Sequence, residues 1–404
     1  KPPVRAEIES ISHRFPNEIL IGLNDRDPRF HDVYRMNILT GEKELKQKNP
    51  GYRSFVFDED YNLRFASKYQ PDGTLSYFKP ADGSEQETEV DWQSFIDIPK
   101  DDTATTGLMG FDKTGEILYM ADSRGRDTAA LKAMDLASGK SKVIAEDPRT
   151  DVGAIKSHPT DNTIQAVSFY YDRRQRKYLD EEVEKDMQIV SAGTDGDAGI
   201  ASWSLDDRQW IVAHMGDAGP IKYFHFDRDT KEMKYLFSHR QELDSLELAK
   251  MSAEIITARD GLKLVRYLTL PVGTDTDADD RPEKPLPMVL LVHGGPWSRD
   301  TWGYDGQHQL LANRGYAVLS VNFRGSTGFG KNFQNVAKRQ WSGTMHDDLV
   351  DAVGWAVDEG IAEKSKVAIM GGSYGGYATL VGLTFTPELF ACGVDIVGPS
   401  SLIT

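Results

Sequence analysis

Two textures of hydrophobic and polar positions divide the chain. From about Ile11 to Leu246 the apolar residues come in short alternating runs, separated by polar turns. Alternation with a period of two marks half-buried strands, and clusters of Asp, Asn, Gly and Ser mark the turns between them. A loose unit recurs: a polar turn, a strand, a second alternating strand and another turn. Phe57-Asp58-Glu59-Asp60 before Leu63 and Phe111-Asp112-Lys113-Thr114-Gly115 before Ile117 open two units. His158-Pro159-Thr160-Asp161 before Ile164 and Ser204-Leu205-Asp206-Asp207 before Trp210 open two more. A related opening precedes Ile19-Leu20-Ile21, giving five units. Asp58, Asp112, Asp161 and Asp206 lie 54, 49 and 45 residues apart. Several short strands per repeat of ~40–50 residues read as β-propeller blades. A β-sandwich with coincidental spacing is the alternative. One stretch breaks the pattern: Leu179, Val183 and Met187 fall at helical spacing, which predicts a helix over 177–189 inserted in a blade.

From about Ile255 strands alternate with helices. Strands are predicted at 262–270, 287–292, 317–322, 366–370 and 392–397, and helices at 307–313, 345–358 and 376–383. Thr344 is expected to cap the second helix, with Asp347 completing a capping box. The alternation predicts a parallel, doubly wound sheet. The expected architecture is therefore a propeller domain over residues 1–250, followed by a doubly wound α/β domain over 251–404. The Asp- and Pro-rich segment 273–287 is an exposed loop within the second domain.

Composition narrows the function. Lys and Arg number 47 against 63 Asp and Glu, a net charge of −16, which disfavours nucleic acid and anionic lipid as partners. One cysteine, Cys392, permits neither an internal disulfide nor a cysteine-based zinc site. No apolar run approaches the ~18 residues of a membrane span. The compartment stays open between cytoplasm and periplasm, and so does a homo-oligomer. Asp275, Asp277 and Asp279 imitate a calcium loop, but Asp280 and Leu286 stand where the loop needs Gly and Glu. His346-Asp347-Asp348 reads as acids answering a helix dipole rather than as a metal cluster. Neither metal nor organic cofactor is implied.

The chemistry concentrates in two motifs. Gly371-Gly372-Ser373-Tyr374-Gly375-Gly376-Tyr377 follows a predicted strand and precedes a predicted helix, the setting of a nucleophile elbow. His293-Gly294-Gly295-Pro296 follows the strand ending at Val292. Glycines at a strand end let a backbone N–H turn inward as an oxyanion donor, and the residue after the nucleophile supplies the second. Ser373 is thus the candidate nucleophile, with the N–H groups of Gly295 and Tyr374 as the oxyanion hole. His293 is expected to brace its loop, because the base of this fold follows the serine.

These motifs, with Trp297 and Asn322-Phe323-Arg324-Gly325-Ser326-Thr327-Gly328-Phe329-Gly330, resemble the prolyl oligopeptidase family of serine peptidases, in particular its acylaminoacyl-peptidase-like branch. The resemblance is specific over 288–404 and architectural over the repeats. It implies a propeller, usually seven-bladed, over an α/β-hydrolase domain, short peptide substrates and an acyl-enzyme mechanism. Arg324 would shape the loop beside the site. Two departures stand out. No histidine follows Ser373, the last being His346, and Asp395 comes too early to be the triad acid. Five units are also fewer than seven. Both departures lead to the expectation of an internal fragment, which lacks the triad acid and base as well as roughly two blades. An esterase or lipase on the same fold, and a non-catalytic propeller scaffold, are the other readings left open.

Overall fold

The computed structural model describes residues 4–81 and 88–402. The outer ends of the two expected domains, at residues 1 and 404, fall outside the described residues. Cα packing divides the chain into two compact units, Lys1–Ile144 with Thr160–Thr163, and Ala145–Pro159 with Ile164–Thr404.

The first unit holds three antiparallel meanders, each a blade of β-propeller type. They are β1 (Ala6–Ile11), β2 (Glu18–Asp27), β3 (Phe30–Asn37) and β4 (Lys43–Gln47); β5 (Ser54–Phe57), β6 (Leu63–Tyr69), β7 (Leu75–Pro80) and β8 (Trp92–Ile98); and β9 (Gly107–Phe111), β10 (Ile117–Asp122), β11 (Ala130–Asp135) and β12 (Ser141–Ala145). The turns recognised in the sequence close these strands. Asp58 accepts N–H bonds from Asp60 and Asn62, and Asp112 accepts one from Ile117. Such side-chain-to-backbone bonds are why Asp recurs at these corners.

The second unit opens with two more blades. One is three-stranded, β13 (Val152–Ser157), β14 (Ile164–Tyr170) and β15 (Arg174–Tyr178). The next is β16 (Asp197–Trp203), β17 (Gln209–Met215), β18 (Lys222–Asp227) and β19 (Met233–Ser238). The described residues therefore form five blades, one per repeat unit. The expected helix over 177–189 is displaced. Residues through Tyr178 pair with β14, and α1 runs Glu181–Ser191 between the two blades, capped by Asp180, whose carboxylate accepts from the N–H groups of Glu182 and Val183. Val183, Met187 and Val190 are buried, while Leu179 is exposed. Strand pairing outweighs the helical period at its first two positions.

A six-stranded sheet completes the unit, in the order β20 (Met251–Thr257), β21 (Lys263–Thr269), β23 (Ala317–Val321), β22 (Leu286–Val292), β24 (Ala362–Gly372) and β25 (Cys392–Ile396). The expectation of an all-parallel sheet needs correction. β23, β22, β24 and β25 are parallel, but β20–β21 and β21–β23 are antiparallel. The short connection between β20 and β21 permits only a hairpin, and a parallel pair would need a crossover. Met288 to Val292 are all buried, as expected of a central strand flanked by parallel neighbours. α2 (Gly306–Ala312) packs on β21 and β23, while α4 (Thr344–Asp358) and α5 (Tyr374–Phe385) pack with β24, α5 also reaching β22 and β25. The short α3 spans Lys331–Asn335. The capping box at Thr344 does not form. Gly343 is the cap residue, Thr344 Oγ1 turns to Gln340 Oε1, and Asp347 pairs with Arg259. No helix among the described residues is long and apolar enough to cross a membrane.

Candidate active site

The site lies where two neighbouring parallel strands end, since β22 runs out at Val292 and β24 at Gly372. Carboxyl ends of strands are where open α/β sheets bind ligands. Ser373 joins β24 to α5 with φ 55° and ψ −118°. A β-carbon at positive φ costs about 1–3 kcal/mol and persists only where the surroundings impose it. Here they do. The Ser373 N–H donates to the Ile396 carbonyl (2.9 Å), and its own carbonyl accepts from Tyr377 N–H (3.0 Å). Glycine makes the bend possible: a β-carbon at Gly375 would stand 2.1 Å from Val292 O, and one at Gly371 2.6 Å from the same atom. The Ser373 side chain is exposed, and its hydroxyl has no hydrogen-bond partner among the described residues.

The loop after β22 comes close to this turn. A β-carbon at Gly294 would lie 3.1 Å from Gly372 O and 3.5 Å from Ser373 Cβ. Gly295 follows at φ 122°. The backbone N–H groups of Gly295 and Tyr374 have no acceptor among the described residues.

His293 braces the loop. Its ring stacks on Phe323 at 4.5 Å, and Nδ1–H donates to the Gly294 carbonyl (2.7 Å). Nε2 lies 2.9 Å from Ser326 Oγ, whose one hydroxyl proton is shared with the Phe323 carbonyl at 2.8 Å. Burial holds this ring neutral, pulling its pKa down to about 4 against the opposing effect of the Gly294 carbonyl. Arg324 anchors the neighbouring loop through a bidentate pair with buried Asp348 (2.7 and 2.8 Å) and a bond to Asp260. His346, Asp347 and Asp348 diverge to Thr386, Arg259 and Arg324. Asp348 is thus a buried ion-pair partner, not merely an acid answering the helix dipole. The carboxylates of Asp275, Asp277 and Asp279 lie within 4.8 Å of one another, and Asp275 accepts from the N–H groups of Asp279 and Asp280.

Beside Ser373 stands an aromatic wall that sequence reading missed. Trp341 packs edge-on against Tyr374 (5.1 Å) and Tyr377 (5.6 Å), and against Trp297, which is 58% exposed. The spacing of 33 residues between Trp341 and Tyr374 hides this contact in the sequence. Behind the loop a cavity of about 460 Å³ is lined by His293, Gly294, Asp300, Trp302, His308 and Gly372 among others. Asp300 Oδ2 is buried there without a partner, and burial raises this carboxyl to about 8, with Asp305 adding to the effect. His308, held between Thr269 Oγ1 and Ser320 Oγ (2.9 Å each), is likewise pulled down to about 4 by burial. No histidine among the described residues hydrogen-bonds Ser373.

The two buried neutral histidines have a consequence for stability. Both have folded pKa values below the ordinary 6.5, so the unfolded chain takes up their protons first. Their contribution is complete above pH 6.5 and is lost as pH falls toward 4. Asp300, protonated up to about pH 8 in the folded chain and ionised when unfolded, offsets one of these protons, so between pH 6.5 and 5 unfolding free energy is expected to fall with a slope rising toward about one proton. Denaturant titrations at several pH values check this, and His308→Gln should remove about one proton of the slope. Stability that stays level or rises as pH falls over that window would contradict these shifts.

The model of the prolyl oligopeptidase family matches residues 302–404. All of the chain aligns, at 47% identity, with dipeptidyl aminopeptidase BIII of Pseudoxanthomonas mexicana. Over residues 302–404 the chain is thus similar to the prolyl oligopeptidase family. It is also 38% identical, again along its whole length, to dipeptidyl peptidase family member 6 of Caenorhabditis elegans. The chain spans 58% and 57% of the lengths of these two relatives. Among solved structures, a Mycobacterium tuberculosis puromycin-hydrolyzing peptidase superposes with a TM-score of 0.70 at 18% identity, over 99% of this chain and 63% of that one. At that identity the likeness speaks for the fold. Ser373 lies within the residues that the family model matches, and the loop His293–Pro296, which the sheet brings beside it, precedes them.

Proposed function

We propose that the full-length protein to which this chain belongs is a serine peptidase acting on short peptides, with residues 1–250 as a propeller cap and 251–404 as part of an α/β-hydrolase domain. The observation that carries this reading is the strained, exposed Ser373 beside two N–H groups without acceptors. Ser373 Oγ attacks the scissile carbonyl carbon, and its proton passes to a histidine oriented by a carboxylate, both supplied from outside residues 1–404. The N–H groups of Gly295 and Tyr374 receive the charge that develops on the carbonyl oxygen. The amine leaves with that proton, and water releases the acyl-enzyme. The aromatic wall of Trp341, Tyr374 and Tyr377 suits an apolar residue at the cleaved bond. The two relatives that align along the whole chain carry "dipeptidyl" in their names, which favours removal of dipeptides over internal cleavage.

The test is turnover by the full-length protein of a chromogenic dipeptide amide against a simple ester of the same chromophore. Amide turnover at ordinary enzyme rates is expected, with the 404-residue chain nearly inert because no base reaches Ser373. Ester hydrolysis without amide hydrolysis would make it an esterase, and neither would favour a binding scaffold.

A further inference from the structure

In an acidic molecule, a group of cations makes no ion pair with a carboxylate among the described residues. Three arginines sit at the β14–β15 hairpin: Arg173 in the turn, Arg174 and Arg176 on β15. Alternation places Arg174 and Arg176 on one face of the strand. On the neighbouring blade, a β-carbon at Gly199 would lie 3.6 Å from Arg176 Nη2 and 3.7 Å from Arg174 Nη1. Two guanidinium groups therefore converge over one stretch of bare backbone, where any side chain at 199 would meet both.

Neither group makes an ion pair or hydrogen bond to a carboxylate among the described residues. Arg176 has Tyr178 as a side-chain neighbour, and Asp197 acts on it only through space. Half-buried like charges held this close repel each other and lose hydration, and an anion would offset both costs. Arg173 adds to the pattern. Its guanidinium lies 3.4 Å from the Trp302 ring centre, and its Nε is buried without a partner.

The hairpin is fastened to the segment that continues from the glycine loop. Tyr170 Oη donates to Trp302 O (3.2 Å), and Arg299 donates to the carbonyls of Tyr170 (2.7 Å) and Tyr171 (2.6 Å). At the far end of the Gly199 neighbourhood, Tyr304 N–H donates to Gly216 O (2.9 Å), next to Met215, whose Cε approaches Gly199. The hairpin that carries the arginine pair is thus tied to residues 299–304, a few positions beyond Gly295, and Arg174 and Arg299 share the Tyr170 ring at 5.8 and 5.0 Å.

We propose that Arg174 and Arg176 form a carboxylate-binding subsite for the peptide substrate. The proposal rests on the peptidase reading. Guanidinium forks bind carboxylates in two parallel hydrogen bonds, more strongly than neutral pairs. The one carboxylate every short peptide carries is its C-terminus, so this subsite reads the end of the chain. A net charge of −16 repels anions at long range, and two paired cations select the one that arrives.

The test uses full-length protein carrying Ser373→Ala, so that binding is read without turnover. Trialanine, its C-terminal amide, and an amide with aspartate in the third position are titrated calorimetrically. The free acid is expected to bind about tenfold more tightly than the amide or better. Arg176→Gln and Arg174→Gln should each reduce that preference and leave amide affinity unchanged, with Arg176→Lys intermediate. The preference should also shrink at high salt. Recovery of tight binding by the aspartyl amide would assign the subsite to an acidic side chain as well. Equal affinity for acid and amide, loss of both in the variants, or no binding of any peptide would overturn the proposal. The peptidase reading is scored separately, by turnover of the amide with Ser373 intact.

Discussion

Replacing Ser373 with alanine in the full-length protein is expected to cut peptide turnover by about 10⁴-fold or more, with residual activity from binding and the oxyanion donors alone. The same substitution should shift unfolding free energy by less than about 0.5 kcal/mol, as usual for an exposed position without packing or hydrogen-bond partners. Alanine inherits the strained φ of 55° unchanged. Glycine does not, and Ser373→Gly should be up to about 1 kcal/mol more stable than the parent while equally inactive. Strain kept at the price of stability belongs to a residue whose position matters. A Ser373→Ala protein that loses activity only by unfolding would return the serine to a structural role.

The second large effect concerns the turn itself. At Gly375 a β-carbon would stand 2.1 Å from Val292 O and 3.0 Å from Val292 C, both backbone atoms. Those atoms cannot retreat, because β22 is held in register with β24, with Leu291 opposite Met370 and Val292 opposite Gly371. Gly375→Ala must therefore prise α5 from the sheet, and is expected to cost about 3 kcal/mol, at the upper end for overpacking. Gly354, inside α4, is the control. Nothing lies within 4 Å of its missing β-carbon, so Gly354→Ala should stabilise by about 0.5–1 kcal/mol. Denaturant unfolding of the two variants reads the contrast. Similar small effects from both would mean that the elbow is looser than its contacts indicate.

Some of this was legible in the sequence for stated physical reasons. The blades announce themselves because their corners are local, as at Asp58 and Asp112, where one carboxylate satisfies N–H groups two to five residues on. The elbow is legible because a strand, a positive-φ residue and a helix can be joined so tightly only through glycines. Features that depend on distant partners were hidden. Asp348 reads as an acid in a helix's first turn, and only the fold brings Arg324 to it. Thr344 has the chemistry of a cap, but Gln340 takes its hydroxyl. Lys177 opens the helix expected from the period of Leu179, Val183 and Met187, yet its backbone pairs with Val167. The strand β20 was not foreseen either, since only Met251 and Ile256 of its seven residues are buried. The arginine pair over Gly199 joins two blades, and no local pattern signals it.

The central claim is that Ser373 is an activated nucleophile in the full-length protein, and covalent trapping tests it most directly. The protein is incubated with a dipeptidyl phosphonate and its peptides are sequenced by mass spectrometry. One adduct per chain is expected, on Ser373 in Gly371-Gly372-Ser373-Tyr374-Gly375, and none in the Ser373→Ala variant. An unmodified Ser373 in folded full-length protein, or an adduct on another residue, would contradict the account.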